Sequence, residues 1–224
     1  MIEADKMGNS RDDELAGWSR IAIAAGLTAC VVYPVMVYVP LPRFVQLTLG
    51  ASFGPALGMA SIALAHVLRA RRRAPSIELA GIANALAGAL VTGMIIVQLA
   101  INYSTAPAAD GQLDAILTGR IWDVVLGLDV AFDTFIGLAT LLFGLNMLRD
   151  PRFGKVIGWT GAFLAVFLLW GANFYYFPDP PREHGFPEIG IFTGLWYLAV
   201  VILLLRSAAP RARRLEKRAT GPRP

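Results

Sequence analysis

Six long apolar runs separated by short polar breaks constrain this chain more than any other feature. They cover residues 21–39, 44–67, 77–103, 121–148, 156–177 and 189–205. Each is long enough for a hydrocarbon core about 30 Å thick, which takes about 17–25 apolar residues in a helix. With no water to satisfy backbone N–H and C=O groups inside a bilayer, runs of this kind are read as helices. The expected fold class is therefore all-α: a polytopic membrane protein, a bundle of six transmembrane helices. Only 16% of the residues are charged and 56% are hydrophobic, whereas a soluble domain carries about a quarter charged residues.

The distribution of Lys and Arg gives an orientation. Lys6, Arg11 and Arg20 precede the first run, and Arg69, Arg71, Arg72 and Arg73 fill the second break. Arg149, Arg152 and Lys155 fill the fourth, and Arg206, Arg211, Arg213, Arg214, Lys217, Arg218 and Arg223 follow the last run. The intervening breaks hold one each: Arg43, Arg120 and Arg182. Seventeen of twenty basic residues thus fall on one side, which the positive-inside bias makes the cytoplasm, with both termini inside. The same asymmetry accounts for the net charge of +4. The basic tail follows a membrane helix directly, so its expected partner is the anionic lipid of the bilayer and not nucleic acid.

The domain organisation read from this pattern is a polar cytoplasmic leader (1–17), a six-helix transmembrane domain (18–206) and a basic cytoplasmic tail (207–224). The leader has five acidic residues against three basic ones before the first run ends its approach at Arg20, so the run is not a cleaved signal, which starts positive. Ser10 and Asp13 have near capping-box spacing and suggest a helix beginning ahead of the membrane. Cys30 is the single cysteine, which excludes an internal disulfide and Cys-based metal sites. The outer breaks, including 104–119 and the Pro178, Pro180, Pro181 and Pro187 segment, contain turn formers. Pro151 should stop the fourth helix, because proline disfavours helical geometry in the residue before it. Trp18, Tyr103, Trp122, Trp159, Trp170, Tyr175 and Tyr176 fall at run ends, as expected of interfacial aromatics.

The second run carries Gly50, Gly54 and Gly58, two consecutive Gly-xxx-Gly steps continued by Ser61 and Ala65. A stripe without side chains admits a second helix backbone at close range. It can be a seam inside the bundle, or the face of a homo-oligomer or of a membrane partner. Pro55 should bend this helix. Gly190 and Gly194 repeat the spacing more weakly in the sixth run.

The fourth run contains Asp129 and Asp133, and no Lys or Arg lies inside any run. At about 100° per residue the two carboxylates point within about 40° of each other on a helix. Trp122, Gly137, Thr140 and Gly144 share their face, while Val124, Leu128, Phe135, Leu138, Leu142 and Leu145 fill the opposite one. Small and polar residues should turn inward and large apolar ones toward lipid. At about 1.5 Å per residue, Asp129 and Asp133 fall roughly 12 and 18 Å from the outer end of the run, near mid-bilayer. A charge at that depth costs at least about 2.5 kcal/mol. A shared proton, a bound cation or a water-filled cavity would relieve it, or the pair simply bridges helices. Thr28, Ser52, Gln98 and Tyr197 lie at comparable depth and could donate to the pair, and Tyr197 with Trp196 is mid-run and not at a run end. Asp123, three residues after Arg120, reads as a solvated ion pair.

No enzyme signature emerges. His66 sits beside the Arg cluster, and His184 with Glu183 lies in a Pro-rich loop, which makes neither a metal nor a haem site. Asp110-Gly111 followed by Asp129 and Asp133 loosely resembles the metal-binding segment of CDP-alcohol phosphatidyltransferases. Here Pro107, Asp114-Ala115 and Val125 replace the first Asp, the Ala-Arg pair and the intermediate Gly, so the chemistry should be lost. There is no nucleophile elbow, His-Glu-x-x-His or phosphate-cradling loop. No cofactor or metal is expected.

Leu126-Gly-Leu-Asp-Val-Ala-Phe-Asp133 through Leu141-Leu-Phe-Gly144, then Pro151-Arg-Phe-Gly-Lys155, Gly158-Trp159 and Gly194-Leu-Trp-Tyr-Leu198, resemble small six-span bacterial inner-membrane proteins grouped as domains of unknown function. The resemblance covers about residues 120–206. It implies a bacterial six-helix membrane protein in the inner membrane and carries no activity or functional residues. Two functions are expected from the residues. One is moving or sensing a small solute or ion through Asp129 and Asp133, supported by Gln98 and Tyr197. The other is an accessory subunit that packs on a partner through the Gly50/Gly54/Gly58 seam.

Overall fold

The computed structural model describes residues 2–103, 111–170 and 190–220, and side chains within 13–103, 118–169 and 190–207. All regular structure among them is helical: α1 (Ile2–Tyr38), α2 (Arg43–Arg69), α3 (Pro75–Tyr103), α4 (Gly111–Met147), α5 (Gly154–Trp170) and α6 (Gly190–Thr220). Five contain segments long and apolar enough to cross a membrane: Asp13–Tyr38, Arg43–Arg69, Pro75–Tyr103, Thr118–Met147 and Gly190–Ser207. The apolar helix of α5 is shorter among the described residues, and the rest of the fifth run (171–177) lies outside them. The loop carrying Glu183, His184 and the four prolines, Tyr175 and Tyr176, Arg182, Pro107 and Asp110 also lie outside the described residues.

α1 begins ahead of the first apolar run, as the leader suggested, and α4 and α6 also extend beyond their apolar runs. α1 starts at Ile2, so Ser10 lies inside the helix and not at its start. The polar leader and the basic tail are helical continuations of α1 and α6, with α6 unbroken to Thr220. Residues 111–119, expected in a turn-rich break, form the first turns of α4. Beyond Pro107 the segment Gln112-Leu-Asp-Ala-Ile-Leu contains good helix formers and no further breaker, so helix propagates back to Gly111.

The Arg-rich end is built by local chemistry. Pro75 opens α3 at the first helical position, where the missing N–H costs nothing. Glu78 in that first turn suits the helix dipole and meets Arg69 of α2 at 2.5 Å. At the α4–α5 junction Gly154 takes φ +75°, a left-handed conformation that glycine adopts without penalty. Asp150, in the connection three residues past the end of α4, is 6% exposed. Its carboxylate accepts the Arg152 backbone N–H at 3.0 Å and the Arg152 Nη2 at 2.6 Å. Arg152 Nη2 also donates to Val67 O of α2 at 3.2 Å, which ties this junction to the last turn of α2. Burial works to raise the Asp150 pKa, but the Arg152 hydrogen bonds and charge, with Arg71 nearby, outweigh it and hold the carboxyl below its ordinary value.

Consecutive helices pack side by side from α1 to α5, and α6 packs against α1 and α5, closing a ring. The α2–α3 contact is the closest, and the glycines explain it. A Cβ on Gly54 would overlap the Gly88 carbonyl oxygen and Thr92 Oγ1, and one on Gly88 would lie 2.5 Å from Gly54 O. Gly50 fits beneath Ile95, and Gly58 faces Ala85. The face expected of an oligomer or partner is thus occupied by α3 of the same chain. Among the described residues nothing lies within 4 Å of a Cβ placed on Gly190 or Gly194, so their spacing builds no seam there. Pro55 lies inside α2 without ending it. Large apolar side chains cover the outside: Phe44 is 79% exposed, Val156 77% and Phe163 62%. So much exposed hydrocarbon suits lipid and not water.

Candidate functional site

Most of α4 sorts as its pattern requires. Gly137, Thr140 and Gly144 are buried, whereas Val124, Leu138 and Leu145 are exposed. Leu128, Phe135 and Leu142, expected toward lipid, are half-buried and pack against the cores. Trp122, near the start of the apolar segment Thr118–Met147, is 39% exposed and not buried with Gly137, Thr140 and Gly144. The Arg120–Asp123 pair forms at 3.8 Å with both side chains well exposed, as its spacing suggested. Asp133 sits at the middle of the apolar segment Thr118–Met147, with Asp129 one turn away.

Both carboxylates line a partly open cavity of about 320 Å³ bounded chiefly by α1, α2, α4 and α6. That size falls at the lower end of the about 300–1,000 Å³ typical of small-molecule sites. Its wall is overwhelmingly apolar. Tyr33, Phe53, Phe132 and Tyr197 contribute aromatic surface, and Cys30 and Thr193 add polar atoms. Tyr33 and Phe53 contact each other, ring centroids 5.3 Å apart, and Phe53 and Phe132 both pack against the same buried apolar clusters. Among the described residues Asp133 makes no hydrogen bond or ion pair, and the pairs Arg69–Glu78, Arg71–Asp150 and Arg152–Asp150 lie at helix ends or in connections. No group of three or more His, Cys, Asp or Glu side chains suited to a metal ion occurs among them.

Of the residues expected to support the pair, Tyr197 alone shares the cavity. Gln98 does not line it. Thr28 is exposed and donates to Ala24 O of its own helix at 2.9 Å, and Ser52 turns back to Leu49 O at 2.8 Å. The Tyr197 hydroxyl is directed away from the carboxylates, into a buried cluster that the sequence reading missed. Asn84 of α3, fully buried, donates to Ser61 Oγ of α2 at 2.5 Å and to Tyr197 OH at 3.1 Å. Tyr197 OH lies 3.2 Å from Thr140 Oγ1, which itself donates to Ile136 O. Four helices therefore meet at one polar knot beside the cavity. The signal for it was the single polar side chain, Asn84, in the stretch from Gly81 to Gly88. A neutral amide in such a run needs partners from other helices.

Trp196, next along α6, takes the opposite role. Its indole lies against Gly161 of α5, where a Cβ would approach to 2.6 Å, and Nε1 donates to Ile157 O at 2.8 Å. The mid-run aromatic pair thus anchors α6 to α5 through Trp196 and to α3 and α4 through Tyr197. Near the Arg-rich end, His66 stacks on Trp18 with centroids 4.0 Å apart.

The fold and its exposed apolar flanks define an integral membrane protein of the helical-bundle class. Neither protein-family models, nor characterised proteins, nor solved structures give a match to the chain.

Proposed function

We propose that the chain is a six-span protein of the bacterial cytoplasmic membrane, both ends inside, that moves or senses a small solute or ion at the α1/α2/α4/α6 cavity. The Arg-rich end supports the orientation, and the resemblance of residues 120–206 to small six-span inner-membrane proteins supports the compartment. The reading rests on one observation: Asp129 and Asp133 both line a cavity of about 320 Å³ at the middle of an apolar helix. A carboxylate kept at such depth is costly, and intramembrane ionisable groups mark solute and proton paths. Asp133 is the principal titrating or ligand-facing group, Asp129 its partner, and Tyr197 a wall residue. Gln98 has no part in this site. The reading of an accessory subunit held through Gly50, Gly54 and Gly58 is weaker, because α3 already fills that seam.

The test is proton flux in proteoliposomes loaded with a pH-sensitive dye and driven by a potassium diffusion potential. Wild-type protein should carry a flux above that of empty liposomes, and Asp133→Asn should abolish it while Asp123→Asn leaves it intact. A wild-type flux equal to that of empty liposomes, or one unaffected by Asp133→Asn, refutes the reading.

A further inference from the structure

The cavity wall narrows the chemistry of what can occupy it. Calcium takes about six to eight oxygen ligands, magnesium about six and zinc about four, and the described wall supplies two carboxylates among mostly apolar side chains. A neutral hydrocarbon would leave the Asp133 carboxylate facing an apolar body with no compensating charge. The aromatic side chains lie where a third option needs them. Phe132 is the sequence neighbour of Asp133, and Phe53 and Tyr33 come from the two adjoining helices. Carboxylate plus aromatic faces is the combination that recognises an organic ammonium group, the rings through their quadrupoles and the acid through charge.

Building on the solute-binding reading above, we infer that the cavity takes a monovalent organic cation with an apolar or aromatic body. The ammonium group sits against Asp133 and Asp129 between the rings of Phe132, Phe53 and Tyr33. The body fills the apolar remainder toward Leu57 and Ile136, both of which line the cavity. Charge complementarity selects the head, and burial of hydrocarbon supplies most of the affinity. The ligand would thereby neutralise a carboxylate that is otherwise expensive at this depth.

The probe is radiolabelled benzyltrimethylammonium, measured by equilibrium dialysis against the full-length protein in detergent micelles, with protein-free micelles as the blank. Saturable binding near one site per chain is expected, weakened at least about ten-fold by Asp133→Asn and more modestly by Phe132→Leu. On the wild-type protein, which removes any doubt about folding of variants, the neutral tert-butyl analogue should compete at least about ten-fold more weakly than unlabelled cation. Absence of saturable binding overturns the inference, as does equal competition by the neutral analogue or an unchanged affinity in a folded Asp133→Asn protein. Proton flux separates the two levels. Flux that depends on Asp133 without cation binding leaves the solute-site reading standing and removes this ligand class, whereas loss of both removes both.

Discussion

Gly54 offers the sharpest test of the packing that surrounds the cavity. Adding one methyl there, Gly54→Ala, drives a Cβ into the Gly88 carbonyl oxygen and Thr92 Oγ1, with the Gly88 carbonyl carbon at 2.9 Å. The obstacle is mostly backbone, so no rotamer change relieves it and α2 must separate from α3. Overpacking costs about 1–3 kcal/mol, and a backbone-on-backbone clash belongs at the top of that range. Replacing helical Gly by Ala returns about 1 kcal/mol of propensity, leaving a net loss of about 2 kcal/mol. Gly58→Ala is the matched control one turn along: its Cβ would lie 3.6 Å from Ala85 Cα, an ordinary contact. It should be neutral or stabilising by up to about 1 kcal/mol. The two variants should therefore differ by about 2–3 kcal/mol in reversible unfolding followed by circular dichroism in mixed micelles. Because the seam is internal, both should keep the wild-type oligomeric state by light scattering. Equal stabilities within about 0.5 kcal/mol, or dissociation of a wild-type oligomer by Gly54→Ala, would refute the assignment of this seam to α3.

Other outcomes follow from the same contacts. Arg152→Ala leaves the buried Asp150 carboxylate with Arg71 alone, 3.7 Å away, and removes the donor to Val67 O, so it should cost about 3 kcal/mol, the low end for breaking a buried pair, in the same unfolding assay. Asp150 has a depressed folded pKa, so its contribution is present above the unfolded value near 3.9 and lost as pH falls through the folded one. Wild-type stability should show this loss only below about pH 4, and Asp150→Asn should lack it. Tyr197→Phe removes the hydroxyl shared by Asn84 and Thr140 and should destabilise by about 1–2 kcal/mol. Thermal unfolding of the wild type, Tyr197→Phe, Asn84→Leu and the double variant, taken as a complete cycle, should reveal a coupling of at least about 0.5 kcal/mol.

The apolar runs carried the helices legibly because bilayer thickness and backbone hydrogen bonding leave few alternatives. Run length and Gly periodicity sufficed for α2, whose seam emerged as an internal contact. The inward turn of Gly137, Thr140 and Gly144 was equally readable, since small and polar groups have one favourable side in a bundle. Partner identity was not. Whether Gly54 meets another chain or α3 depends on which helix is adjacent, a long-range fact that periodicity does not encode. For the same reason, depth matching brought Tyr197 to the cavity but not Gln98, Thr28 or Ser52, because equal depth says nothing about azimuth. Ser52 and Thr28 also satisfy themselves on their own helix backbones, the usual local option for hydroxyls. Asn84 was missed because attention fell on charge, although a buried amide makes the same demand for cross-helix partners. The helical start at Gly111 was missed because turn formers upstream were weighed over propensity downstream.

The claim on which the account turns is that residue 133 faces the interior of the bundle while the opposite flank of α4 faces lipid. Nitroxide spin labels at position 133 and at position 138, whose native Leu is 39% exposed, report this directly in a Cys30→Ser background reconstituted into bilayers. Relaxation by dissolved oxygen, which concentrates in the hydrocarbon, should be strong for the label at 138 and weak for the label at 133. Equal or greater oxygen access at 133 would place Asp133 against the acyl chains and contradict the account.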